Sequence, residues 1–388
     1  MRICYLANTA IPSTNASAIQ IVKMCETFSK YNNEVLLITP DSSKKKNFKK
    51  FYNIRNKFKF IKIKKFKKFP LGFKYYLFSL LSIIESLSFK ADIYITRNFF
   101  TCFLLTLLRK KIIIELHHDL AIESRIVNFI VKRLNLLNSN SIVKIIAITR
   151  SVKNFYKSKY NVNEKKIIVL PSGSSININF KYNKRVRYFK IGYFGSLYNS
   201  RGFNLILELS RIDKNNNYYL YGDKKNILKV NKNNLPVNFI VKDYVPYKNI
   251  PSMLSKMDIF LMPYTTSITM AGNVGDISKF TSPLKLFDYL SVGRAIICSN
   301  FKVLKEILKE NENAIFIKNY KNHISWKSEI SKLKRKPYKR YKISKNNFLL
   351  SKKYNLDVRV NKILNELSKN KWSLKKLYII IPPSKKVV

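Results

Sequence analysis

With 388 residues the chain is too long for one ordinary hydrophobic core and suits two domains. Its 46% hydrophobic content lies in the globular range and excludes wholesale disorder. The formal net charge of +52 points either to a polyanion partner or to a drift toward Lys, Asn, Ile, Phe and Tyr; the even spread of those residues favours drift, with an anionic membrane surface second.

The chain opens directly into a strand pattern at 2–7, which predicts no secretory leader and a cytoplasmic protein. The loop 11–20 follows, where the small polar residues Asn15, Ala16 and Ser17 let backbone approach a ligand. It lacks G-x-G-x-x-G, which disfavours a nicotinamide or flavin cofactor. An amphipathic helix at 16–30 leads to a strand at 34–40. The run 44–68 carries lysines interleaved with aromatics and no acid. It reads as a solvated loop and strand or as a contact with anionic lipid, both ahead of RNA. The apolar stretch 71–84 is short and contains Lys74, so it predicts a core or interfacial helix, not a span.

Near-continuous apolar strands at 92–97, 111–117, 143–149 and 166–173 are separated mostly by helical patterns. That alternation predicts a doubly wound parallel sheet. His117 and His118 stand at the carboxyl end of a strand, where such sheets place chemistry; a strand-capping histidine is the structural alternative. Segment 174–188 breaks the rhythm and reads as a linker. Strands at 189–196, 218–222, 238–246, 258–264, 295–299 and 314–319 then restart the alternation, with helices at 202–212 and 249–257. Two doubly wound domains facing each other make a cleft.

In the second half, a strand ends at Gly195, and Arg201-Gly202 opens a helix. A cation at a helix start suggests that an anion binds there too; an exposed loop arginine is the alternative. Ser282 and Pro283 read as N-cap and first residue of a helix that Gly293 ends, with Lys285 and Asp288 along it. A phosphate at the helix start and a ribose diol at Asp288 would describe a nucleotide site; a capped surface helix with a solvated Lys–Asp pair competes. Cys4, Cys25, Cys102 and Cys298 form no C-x-x-C pair and read as reduced, buried thiols. With no zinc signature and no D-x-D pair, no metal or other cofactor is expected.

The segment 282–308 resembles the donor-binding signature of the retaining glycosyltransferases of family 4, which have the GT-B fold of two Rossmann-like domains across a cleft. Segments 194–210, 244–264, 16–40 and 354–364 are similar to further parts of that family. The resemblance implies an acceptor-side domain at 1–180, a donor domain at 189–345, a closing helix at about 354–368 that packs back on the first domain, and a basic tail at 369–388. It places Asp288 where the family has a ribose-binding glutamate, Arg201 where a basic residue neutralises the donor diphosphate, and Ser282 and Lys285 on the helix opposite. Gly195 and Gly202 shape the same pocket, His117 stands near the acceptor and the transferred sugar, and residues 15–17 replace a Gly-Gly loop. Two departures stand out. Phe280 replaces the family's first glutamate, with Asp276 a nearby substitute, and Ser196 stands where an arginine is common. The implied function is retaining transfer of a hexose from a nucleotide-sugar donor to a glycan or lipid-linked acceptor, in surface polysaccharide or glycoconjugate synthesis. A sugar-nucleotide epimerase and a non-catalytic polyanion-binding protein of the same fold are the alternatives; nucleic acid is not an expected partner.

Overall fold

The computed structural model describes residues 1–42, 47–64, 70–122, 124–182, 188–224, 235–268 and 276–369. Lys44, Lys45 and Lys46, residues 65–68 of the basic run, 183–187 of the predicted linker and 370–388 of the tail lie outside the described residues.

Strands β1 (Arg2–Leu6), β2 (Glu34–Pro40), β3 (Lys59–Ile63), β4 (Ile93–Thr96), β5 (Ile112–Leu116), β6 (Ile142–Ala147) and β7 (Ile167–Val169) form one parallel sheet, ordered β3-β2-β1-β4-β5-β6-β7. Strands β8 (Lys190–Phe194), β9 (Asn217–Tyr221), β10 (Phe239–Lys242), β11 (Ile259–Met262), β12 (Ala295–Ser299) and β13 (Ala314–Ile317) form the second, ordered β10-β9-β8-β11-β12-β13. The central strands are buried on both faces, which explains sequences such as Ile112–Leu116 and Ala295–Ser299 that run apolar without alternation. Strand order reverses between β1 and β4 and between β8 and β11. Loops leaving the carboxyl ends of those pairs diverge to opposite faces, so each sheet opens a crevice there.

Strand β7 is shorter than the predicted 166–173, because Pro171 cannot extend the ladder and the chain turns toward the second domain. The predicted linker is a packed crossover where described. Ile176 is buried in the second domain's core, Phe180 packs on Phe348 and Tyr182 on Tyr341. In the basic run, Tyr52 is fully buried and its hydroxyl donates to the Ser13 carbonyl, while Phe48 stacks on Phe60 at 4.3 Å. These rings are interleaved with lysines because they pin a short helix and the edge strand β3 to the sheet, not because they face a polyanion. All four cysteines are free and buried. Helix Leu356–Lys369 lays Leu356, Val360, Ile363 and Leu367 into the first domain's core beside helix Ala16–Lys30. Among the described residues, no helix is long and apolar enough to cross a membrane.

Candidate active site in the interdomain cleft

A cleft of about 1510 Å³ opens between the carboxyl ends of the two sheets, with residues of both domains on its walls. On the second domain's wall, Gly195 follows β8 with φ +137°, and a Cβ there would come within 3.0 Å of the Lys285 ammonium. Glycine therefore lets Lys285 reach across the loop. Lys285 Nζ donates to the Tyr193 hydroxyl at 2.7 Å and lies 5.6 Å from the Tyr264 ring centroid. Burial and the nearby Arg201 hold its pKa well below the usual lysine value. Arg201 ends the turn Asn199–Arg201, lines the same wall and lies over Tyr264. Arg201 and the Lys285 amine, whose protonation a bound anion would favour, make an anion site in a desolvated, tyrosine-lined corner.

Asp288 lies one turn beyond Lys285 on helix Leu284–Ser291, yet each turns to another partner, Lys285 to Tyr193 and Asp288 to Ser174, in place of the solvated pair that spacing allows. The Asp288 carboxylate accepts from the Ser174 hydroxyl at 2.6 Å, and Ser174 is oriented by accepting from the Ile176 N–H at 3.0 Å. Burial pushes the Asp288 carboxyl up to about 7, against the opposing pull of that hydroxyl.

Three predicted donor residues have other surroundings. Ser282 is not a side-chain N-cap: Pro283 occupies the cap, and the Ser282 hydroxyl accepts from the Ser172 N–H of the first domain at 3.0 Å. Gly202, at φ +86°, lies against Pro263, whose carbonyl oxygen would be 2.0 Å from an added Cβ; it is a packing contact that does not line the cleft. Asp276 also lies off the cleft, accepting from the N–H groups of Ile268 and Ser278 and so tying up its own loop. Phe280, which replaces the family glutamate, inserts into the first domain's core and meets Phe155 edge-on at 5.0 Å.

On the first domain's wall, Asn15, Ala16 and Ser17 line the cleft where helix Ala16–Lys30 begins. Opposite them, Glu115 at the end of β5 is 1% exposed and holds three cation-forming groups. Its Oε1 accepts from Arg97 at 2.8 Å and His117 Nε2 at 2.7 Å, and its Oε2 lies 3.0 Å from Arg359. Burial opposes ionisation of Glu115, but Arg97, Arg359 and His117 outweigh it and hold the carboxyl well below its usual range. Burial, with Arg97 adding to it, lowers His117 to about 4 against the pull of Glu115. The imidazole is therefore neutral at physiological pH. An ionised carboxylate can only accept, so Nε2 carries the hydrogen and Nδ1 keeps a lone pair for a hydroxyl donor. His118 also lines the cleft, and its carbonyl accepts from the Tyr156 hydroxyl at 2.7 Å.

The cleft thus joins Arg201, Ser282, Lys285, Asp288, Gly195, His117 and residues 15–17, and leaves out Gly202 and Asp276. Arg97, Glu115, Ser174 and Arg359 were not singled out in the sequence. Glu115 had a readable signal, since a lone acid inside the apolar strand IIIEL must find buried cations. Arg359 had none, because its partner lies far along the chain. Among the described residues, no group of three His, Cys, Asp or Glu converges on a metal-sized site.

A model described as "Glycosyl transferases group 1" matches residues 174–349, and one described as "Glycosyltransferase Family 4" matches 17–177. The chain belongs to the group 1 glycosyltransferases. No curated protein matches it by sequence. Among solved structures it is similar to HepE of Anabaena, in complex with UDP-glucose, at 13% identity and a TM-score of 0.69, covering 95% of this chain and 100% of that one. Sucrose-phosphate synthase from Thermosynechococcus elongatus gives 10% identity and a TM-score of 0.73, covering 95% and 99%. A glycosyltransferase from Rickettsia africae gives 14% and 0.68, covering 96% and 99%. At these identities the structural likeness establishes the fold, here GT-B.

Proposed function

We propose that this glycosyltransferase moves a hexose from a nucleoside-diphosphate sugar to a hydroxyl of a glycan or lipid-linked acceptor, with retention, in the synthesis of a surface polysaccharide or glycoconjugate. The observation that carries the reading is one wall bearing Arg201, Lys285 and Asp288, facing the neutral His117 across the cleft. Arg201 and Lys285 suit a diphosphate, and Asp288 suits a ribose diol. The sugar beyond the diphosphate would then reach His117, whose Nδ1 can accept from a sugar hydroxyl. HepE, which shares this fold, is solved with UDP-glucose.

Retention through a covalent intermediate requires a carboxylate free to attack. Glu115 is a poor candidate, because two guanidiniums and an imidazole engage it and depress its basicity. Reaction on one face fits better. The bond from the anomeric carbon to the phosphate oxygen breaks, the bond to the acceptor oxygen forms on the same side, and the acceptor's proton passes to the departing diphosphate. Negative charge grows on that diphosphate beside Arg201 and Lys285, where preorganised cations stabilise it by several kcal/mol in total.

A thermal-shift screen against UDP-, GDP- and CMP-sugars tests the donor, since a ligand at a hundred times its Kd adds roughly 2.7 kcal/mol of stability. NMR of the first product, made with the stabilising donor, tests the stereochemistry. No shift with any nucleotide sugar would overturn the reading, and interconversion of donor sugars without acceptor would replace transfer by epimerisation.

A further inference from the structure

Helices Leu71–Leu87, Phe99–Leu107 and Arg125–Arg133 lie side by side on one face of the first domain's sheet. Their inner residues, among them Phe78, Cys102 and Val131, enter one core cluster, while helices Ala16–Lys30 and Leu356–Lys369 pack on the other face. Part of their outer surface is apolar as well. On the first helix, Phe73, Leu80 and Ile84 fall on one stripe, with Phe73 50% and Ile84 62% exposed. On the third, Ile126 is 66% and Phe129 67% exposed, and Leu107 closes the second. A helix that is apolar all round belongs in a core or a membrane, and adjoining exposed patches mark an interaction surface.

The charges around this face select the partner. Lys90, Arg109, Lys111, Arg125, Lys132 and Arg133 are exposed on these helices and just beyond their ends, against Glu85 and Asp92 as the exposed acids among the described residues there. A second copy would meet these cations with the same cations, whereas an anionic bilayer complements both the charge and the apolar stripes. The patch also reaches the cleft. Gly72, Tyr76 and Ser124 line its mouth, and the Tyr76 and Ser124 hydroxyls lie 3.1 Å apart across the first and third helices.

We infer that this three-helix face lies on an anionic bilayer and presents the cleft mouth to an acceptor whose lipid tail stays in the membrane. The docking stands on the surface alone; the lipid-linked acceptor rests on the proposed transfer reaction. The described aromatics of the basic run pack into the core on the opposite face of the sheet, so they add nothing to this apolar face.

Vesicle co-sedimentation of the full chain tests this, with phosphatidylcholine alone and with about 30% phosphatidylglycerol added. Binding should require the anionic lipid and fall as salt rises. The variant combining Phe73→Ser, Ile84→Ser, Ile126→Ser and Phe129→Ser should partition at least about tenfold more weakly, because inserted apolar area is lost. Lys49→Gln with Lys50→Gln should change little. The serine variant should keep its melting temperature within a few degrees, as these side chains are exposed, and should keep its stabilisation by UDP. Undiminished sedimentation of the serine variant would overturn the proposal. So would a native dimer that the same substitutions turn into a monomer, which would assign the face to a second copy. Intact vesicle binding with no stabilisation by any nucleotide sugar would count against the proposed reaction and leave the docking standing.

Discussion

Arg201 and Asp288 share a wall and should fail differently when changed. Diphosphate charge grows as the sugar departs, so Arg201→Ala should lower kcat by roughly a hundredfold, with a smaller rise in donor KM. A change confined to KM would make Arg201 a ground-state anchor. Asp288→Asn keeps an acceptor for the Ser174 hydroxyl but removes the carboxylate, so donor KM should rise more than kcat falls. The same substitution has a stability consequence with a definite sign. The folded pKa is raised from 3.8 to about 7, so the stability tied to this group is present below pH 3.8 and lost as pH rises through 7. Asn carries no such cost. Asp288→Asn should therefore raise the melting temperature most at pH 8, less at pH 5 and hardly below pH 3.8; an equal effect throughout would show that burial of the charge is not what the site pays for in stability.

At the scale of elements, helix Leu356–Lys369 docks on the first domain and delivers Arg359 to Glu115. Arg359 also donates to the carbonyls of Leu170 and Pro171, where the chain leaves β7 for the second domain. In the proposed reaction it would position His117 through Glu115. Arg359→Met would leave a buried carboxylate undercompensated and should cost about 3–5 kcal/mol of stability, read by denaturant unfolding. The variant's kcat should fall, because Glu115 no longer holds the imidazole in one tautomer and orientation, while stabilisation by UDP should persist because the cations suited to a diphosphate stand on the other wall. Weakened UDP binding in proportion to kcat would place the helix's influence elsewhere.

At the scale of the whole molecule, the contact between domains runs through residues whose partners are far apart in sequence. Glu306 accepts from the N–H groups of Arg150 and Ser151 at 2.7 and 3.2 Å, Ser282 from Ser172, and Phe280 fills the first domain's core beside Phe155. Restoring the family's acid by Phe280→Glu should therefore gain no activity. It should lower stability by several kcal/mol, through lost aromatic packing and a buried carboxylate. A stable, more active variant in thermal unfolding and turnover assays would contradict this placement. The two-sheet architecture was legible in sequence because strands buried on both faces must be apolar without alternation, and because loops after such strands carry polar residues. That is why 16–30, 34–40 and 295–299 read true to their boundaries and why Arg201, Lys285, Asp288 and His117 stood out. Local pattern also misled. Ser282 precedes a proline as a cap would, yet its hydroxyl serves the other domain, and the lysine–aromatic run looked like a surface until Tyr52 and Phe48 were seen in the core. Periodicity and capping are properties of neighbours along the chain, so sequence determines the elements and the wall on which each polar residue begins. Which hydroxyl meets Asp288, which guanidiniums hold Glu115 ionised and which apolar stripes stay uncovered depend on contacts between segments hundreds of residues apart, and only the packing of the two sheets and the returning C-terminal helix decides them.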